Sequence, residues 1–387
     1  MAVKTNYEKN GSNYFRVTAT IGKKANGKLI RKEFYGKSKK EAESKRDEYL
    51  RGIQSGLNSN FNEITLGELI KIWLFEVVKT YASHSTMDRY EGIYRNYIKE
   101  STLNSVKLNT IKPLTLQRYY NKLYYEDKKS LSIIKNLNKL LKTFFNYAMK
   151  EDYILSNPCV RVTLPVEKTV TNEEKDIDPF TLEEIEKIKK TAKNYMRMIF
   201  LLDLGTGLRK GELLALTPAD INFEKEEIYI NKSLKKIKVF DSETKYHYET
   251  AIEVPKTKNS IRTVPIPKKL IPILKKHITK QKEKYLANGL ILRENSLIFT
   301  TNSCTPIDGV NMLRAWKRLL KRAGVRYRRF HNIRHTFASQ LFFAHVELKT
   351  VQTLLGHSSI NITSEIYVHV LPQSKIDSVE KINYLFS

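Results

Sequence analysis

The chain has 387 residues, a formal net charge of +27 and 41% hydrophobic residues, which calls for two or three cores and excludes a disordered polycation. Nucleic acid is the leading partner for that charge; a membrane is disfavoured, because no apolar run approaches about 18 residues and neither an N-terminal h-region nor a lipidation signature is present. Two isolated cysteines, Cys159 and Cys304, offer neither a disulfide framework nor metal-ligand spacing, which fits a reducing, cytoplasmic compartment.

Residues 1–60 read as a separate basic module, with 14 Lys and Arg against 6 Asp and Glu, a net of +8. Alternation from Tyr14 to Ile21 predicts a strand, Asn26-Gly27 a hairpin turn, Leu29 to Tyr35 a second strand, and Ser38 to Leu50 a charged helix. A basic sheet backed by a helix suits a DNA groove, against the plainer reading of a solvated surface. Gly52 to Asn62 lacks periodicity and reads as a linker.

Residues 64–160 read as a bundle of four or five helices. Thr65-Leu66-Gly67-Glu68 is a capping box, and Ser85-Thr86-Met87-Asp88 repeats the device with aspartate. Tyr90, Ile93, Tyr94, Tyr97 and Ile98 then share a helical face. Pro113 opens another helix, and Ile134, Leu137, Leu141, Phe144 and Phe145 recur at three-to-four spacing in a last one. Lys135, Lys139 and Lys142 fall on its opposite face and read as solvated side chains. Asn157-Pro158-Cys159 ends the bundle, and Val162 to Asp178 reads as an exposed linker.

Residues 175–387 form the third region. Thr181 to Glu184 caps its first helix, and Met198 to Leu202 reads as a buried helix segment. The pattern stays helical except for strands predicted at Ile228–Ile230, Ala251–Val254 and Arg262–Ile266, which imply one small antiparallel sheet. The fold class is therefore α+β and multidomain.

The chemistry-bearing residues concentrate here. In Gly205-Thr206-Gly207-Leu208-Arg209-Lys210-Gly211-Glu212, the glycines permit close approach, and Glu212 lies one turn after Arg209, placed to orient its guanidinium by a bidentate pair. Lys256 and Lys258 sit on a basic turn between strands. His331, Arg334 and His335 share one short stretch; the four-residue spacing of the histidines hints at a zinc helix, but Asn332 stands where metalloprotease chemistry needs glutamate. Leu354-Leu355-Gly356-His357 and then Tyr367 follow. Alone, Tyr367 between Ile366 and Val368 would read as a core residue.

In this order Arg209, Lys256, His331-x-x-Arg334, Leu-Gly-His357 and Tyr367 resemble the tyrosine recombinase family, the phage- and transposon-type integrases, over essentially the whole chain. The resemblance implies an arm-binding module, a helical core-binding domain and a catalytic domain. It also implies a site-specific recombinase that integrates and excises a mobile element with no cofactor, metal or ATP. Tyr367 becomes the nucleophile that forms a 3′-phosphotyrosyl bond, and Arg209 and Arg334 answer charge on the non-bridging oxygens. Lys256, or Lys258 if the turn is registered differently, protonates the 5′-oxygen. His331 assists proton transfer with the tyrosine, and His357 hydrogen-bonds the phosphate. The implied partners are double-stranded DNA with core-type and arm-type sites, an excisionase or DNA-bending host factor, and three further copies of the chain. Residues 371–387, with Ile376, Val379, Ile382, Leu385 and Phe386, would link the tetramer. Competing readings are a DNA-binding regulator without chemistry and a topoisomerase-like enzyme.

Overall fold

Alternating residues near the N-terminus build an antiparallel sheet of β1 (Tyr7–Lys9), β2 (Ser12–Lys23) and β3 (Leu29–Gly36) in the order β1-β2-β3. The computed structural model describes residues 7–9, 12–23, 29–54, 63–166, 178–255, 258–361, 363, 364 and 366, in two units, Met1–Val170 and Thr171–Ser387. Helix α1 (Lys39–Gln54) packs on the sheet through buried Ala42, with Ala19 and Phe34 buried on the strands. It runs through Gly52, where the sequence predicted a linker; one glycine costs only about 1 kcal/mol relative to alanine inside a helix. The predicted turn at 24–28 and the remaining linker, 55–62, lie outside the described residues.

The capping box at Thr65 opens α2 (Leu66–Ile72), with Thr65 N donating to Glu68 Oε2 at 2.9 Å and Glu68 N to Thr65 Oγ1 at 3.3 Å. The helix continues through a π-helical turn, Trp73–Val78, into α3 (Lys79–Tyr81). Helix α4 (His84–Tyr97) has Ser83 at its N-cap position, without a side-chain cap bond, and Ser85 lies inside its first turn. Its buried stripe is Met87, Glu91 and Tyr94, continued by Ile98 beyond its end. Helix α5 (Pro113–Asn121) carries Pro in its first turn, where a missing N–H costs nothing. Helix α6 (Leu131–Lys150) buries all five predicted apolar residues and leaves Lys135, Lys139 and Lys142 exposed. Trp73 stacks on Tyr90 at 5.8 Å and meets Phe144 edge-on at 5.6 Å, binding three helices into one core.

The second unit begins with α7 (Leu182–Thr191), opened by a capping box at Thr181, followed by α8 (Asn194–Thr206) and α9 (Lys210–Leu214). Five strands follow: β4 (Ile221–Asn222), β5 (Glu227–Ile230), β6 (Ser233–Phe240), β7 (Tyr246–Glu253) and β8 (Arg262–Pro265). They form two sheets, β4-β5-β8 and a separate β6-β7 hairpin, in place of the single sheet predicted. The lysines of β6 hid it. In the fold Lys238 packs 4.0 Å from the Tyr246 ring across the hairpin, a cation–π pair that makes a basic sequence compatible with a strand.

Helices α10 (Ile271–Ala287), α11 (Gly309–Arg322), α12 (Asn332–Phe343) and α13 (Leu348–Leu355) complete the unit. Its core centres on Trp316, stacked on Phe200 at 5.9 Å and edge-on to Phe180 and Phe330 at 5.9 and 5.6 Å. The indole Nε1 donates to Arg328 O at 2.9 Å. Among the described residues no helix is long and apolar enough to cross a membrane.

Candidate active site

Helix α8 stops because Gly207 takes the left-handed conformation, φ +60°; a Cβ there would lie 2.4 Å from Phe337 Cδ1. Two residues on, Arg209 caps α9. Its backbone N donates to Glu212 Oε2 at 2.9 Å, its Nη1 to Glu212 Oε1 at 2.8 Å, and its Nη2 to Gly356 O at 2.9 Å. About a third of the Arg209 side chain stays exposed, 37%, although both terminal nitrogens of its guanidinium are held.

The bidentate partner of Glu212 is not Arg209, as the spacing predicted, but Arg262. Arg262 Nη2 and Nη1 donate to Glu212 Oε2 and Oε1 at 2.8 and 3.2 Å. Arg209 spends its second terminal nitrogen on Gly356 O instead, which leaves the fork geometry to the buried arginine. The sequence carried one signal for this. Arg262 shares the inward face of β8 with Val264, and an inward arginine in a short strand needs a buried acid.

Helix α12 is held at its N-terminus by its surroundings. Arg328 pairs with Glu184 and Asp178, each at 2.8 Å, and Thr336 Oγ1 accepts from Phe180 N at 2.9 Å. This anchors His331, Arg334 and His335. Arg334 is 1% exposed; its Nη1 donates to Gly207 O at 2.6 Å and its Nη2 to Leu355 O. Burial, reinforced by Arg209 and Arg262, pushes its guanidinium down to about 9.

Gly356, with φ +65°, ends α13, and a Cβ there would come within 2.7 Å of Asn259 O. The turn delivers His357, which is buried and pairs through Nδ1 with Thr363 Oγ1 at 2.9 Å. Burial first, then Arg334 and Arg209, hold His357 at about 3. His331 keeps much of its residue surface accessible, yet crowding around its ring, with His335, Arg334 and Arg209 nearby, holds it at about 4. The His331 and His335 rings meet edge-on at 4.8 Å. Both predicted site histidines are thus neutral at ordinary pH, able to accept one proton or donate one hydrogen bond. For Glu212, burial pushes up, but Arg262 and then Arg209 outweigh it and the carboxylate is held low. Asp203, fully buried on α8, is pushed well up by burial.

Arg209, Glu212, His331, Arg334 and His357 therefore converge, from segments more than 140 residues apart at their extremes. Lys256 and Tyr367 lie outside the described residues, as do 371–387, and Lys258 is placed by its backbone alone in the turn Lys258–Ser260. Among the described residues no group of three His, Cys, Asp or Glu could hold a metal ion.

Two guanidiniums beside two neutral imidazoles make a site for a phosphoryl group gaining charge. Residues 177–374 match the phage integrase family and residues 65–124 the phage integrase N-terminal SAM-like domain. A tyrosine recombinase XerC-like protein of Caldanaerobacter subterraneus subsp. tengcongensis is 51% identical over 391 residues, covering 100% of both chains. The Tn1549 transposon integrase, solved with a circular intermediate DNA, superposes with a TM-score of 0.63 at 22% identity, covering 82% of this chain and 99% of that one. A lambda integrase tetramer bound to a Holliday junction gives 0.55 at 18% identity, covering 90% and 92%. The chain belongs to the phage integrase family of tyrosine recombinases.

Proposed function

We propose that this recombinase cuts and rejoins DNA through attack of Tyr367 on a scissile phosphate, conserving the broken bond as a 3′-phosphotyrosyl link and so integrating and excising a mobile element without metal or ATP. The observation that carries this reading is that Arg209 and Arg334 both bond to the turn that presents His357, at Gly356 O and Leu355 O, each of the three being fixed by buried partners. Pre-fixed donors stabilise a transition state because they do not have to reorganise as charge develops.

In this reading Arg209 and Arg334 bind the non-bridging oxygens and His357 donates a hydrogen bond to one of them. The tyrosine oxygen bonds to phosphorus as the bond from phosphorus to the 5′-oxygen breaks. The phenolic proton passes to neutral His331, and the departing oxygen takes one from Lys256, with Lys258 as the alternative donor. Glu212 supports Arg209. Residues 1–60 act as the arm-type module and 64–160 as the core-binding domain, with 175–387 catalytic. The tail from residue 371 links protomers of a tetramer on DNA, and an excisionase or DNA-bending host factor assists.

The test is trapping with a nicked DNA substrate in chelator and without ATP. Wild type forms a covalent protein–DNA adduct and Tyr367→Phe forms none; an adduct surviving that substitution moves the nucleophile elsewhere.

A further inference from the structure

Arg262 has no part in the roles above, yet three segments of the catalytic unit meet on it. Its side chain is 5% exposed. Besides the fork to Glu212, Nη1 donates to Ser260 O at 3.2 Å and Nε to Leu354 O at 2.7 Å, so one guanidinium ties β8 to the first turn of α9 and the last turn of α13. A Cβ on Gly356 would approach Arg262 Cδ to 3.0 Å, so glycine is what lets the side chain pass beneath the turn that presents His357.

Charge gives this geometry a consequence. Glu212 is 4% exposed and lies between two guanidiniums. With Arg262 present the trio sums to +1, and Arg209 keeps its attraction for an anion. Without it, Glu212 and Arg209 sum to zero where phosphate has to bind, and a buried carboxylate with one partner draws that partner inward.

We propose that Arg262 is a positioning residue: it neutralises and orients Glu212 so that Arg209 remains an anion binder, and it acts on the phosphate only through those two. This rests on the reading of Arg209 as a phosphate ligand.

The experiment uses the full chain, a nicked DNA substrate at saturating concentration and single-turnover adduct formation. Arg262→Met slows adduct formation about 100-fold or more while DNA affinity changes less than about 3-fold, the split expected when stabilisation is lost at the transition state. Arg262→Lys keeps at least about a tenth of the wild-type rate, and in a Glu212→Gln background Arg262→Met costs less than about fivefold. An equal loss in both backgrounds overturns the proposal. So does recovery of Arg262→Met by a substrate with sulfur at the 5′-bridging position, whose departure needs no proton; that would tie Arg262 to the lysine turn. Where Glu212→Gln gives no adduct, or Arg262→Met does not fold, Arg262→Lys decides: retained charge with at least a tenth of the wild-type rate supports the proposal, and loss below that overturns it. Tyr367→Phe run alongside tests the nucleophile separately.

Discussion

The cations of the helical bundle and those of the catalytic unit differ in what holds them. Lys135, Lys139 and Lys142 project from α6 into solvent, whereas Arg262 and Arg334 are buried and Arg209 is partly exposed, all three with guanidiniums donating to main-chain carbonyls. A hydrated lysine on a flexible stem supplies charge with little geometry. A buried guanidinium costs desolvation and in return stays in one place. Affinity for a polyanion needs only the first kind, and stabilising a particular phosphate needs the second.

Removing one arginine of each degree of burial separates the two kinds of cation. Arg334→Ala should lower the rate of adduct formation at least about 10³-fold and also lower the melting temperature, because Gly207 O and Leu355 O lose their donors at about 1–3 kcal/mol each. Arg209→Ala should cost about 10²–10³-fold in rate with a much smaller change in melting temperature, its side chain being partly exposed. Equal melting shifts for the two would mean that burial does not separate them. Next, Gly356→Ala places a Cβ 2.7 Å from Asn259 O at φ +65° and should destabilise by about 1–3 kcal/mol in thermal unfolding, with loss of adduct, although no charge is touched.

Acid should act on the catalytic unit before it acts on the bundle. His277, His331, His335 and His357 are all held below their ordinary value, so the unfolded chain binds protons that the native one does not as pH falls from about 6.5. Stability is full above about 6.5 and is lost towards 4, which melting curves at stepped pH would show as a drop reduced by His357→Gln. Asp203, pushed up by burial, contributes the opposite slope, so Asp203→Asn should steepen the dependence. At subsaturating DNA, where the pH profile reports groups of the free protein, adduct formation by wild type should stay flat with respect to His331 until pH approaches 4. The smallest effect belongs to the bundle. Replacing Lys135, Lys139 and Lys142 together with glutamine should reduce the salt dependence of DNA binding by at most about 0.9 log unit per lysine and leave the rate at saturating DNA unchanged. A fall in that rate would erase the distinction between the two kinds of cation.

What could be read from the sequence follows the range of each interaction. The capping boxes at Thr65 and Thr181 and the apolar stripe of α6 depend on neighbours within four residues, and the structure contains all three. The sequence offers serine at both 83 and 85, and only the backbone, extended at Ser83 and already helical at Ser85, decides which one starts the helix. Strand β6 was missed because its lysines are matched by aromatic rings on β7, which alternation within a single strand cannot reveal. At the site, the spacing of Arg209 and Glu212 announced their contact, while the sharing of Glu212 with Arg262, 50 residues later, needed the sheet to be folded first. His357 and Thr363 show the same limit at shorter range, since the hydrogen bond depends on the turn at Gly356.

Around the site, five carbonyl oxygens, those of Gly207, Ser260, Leu354, Leu355 and Gly356, already receive guanidinium hydrogens. A free orthophosphate ion entering the site would compete with them on its own, with no other contact to offset the loss. A phosphodiester in duplex DNA arrives tethered by many contacts along its backbone, which raises its local concentration far above that of any small anion. On the proposed reading of these arginines as phosphate ligands, the carbonyl collar favours a phosphodiester held by neighbouring contacts over a dissolved phosphate.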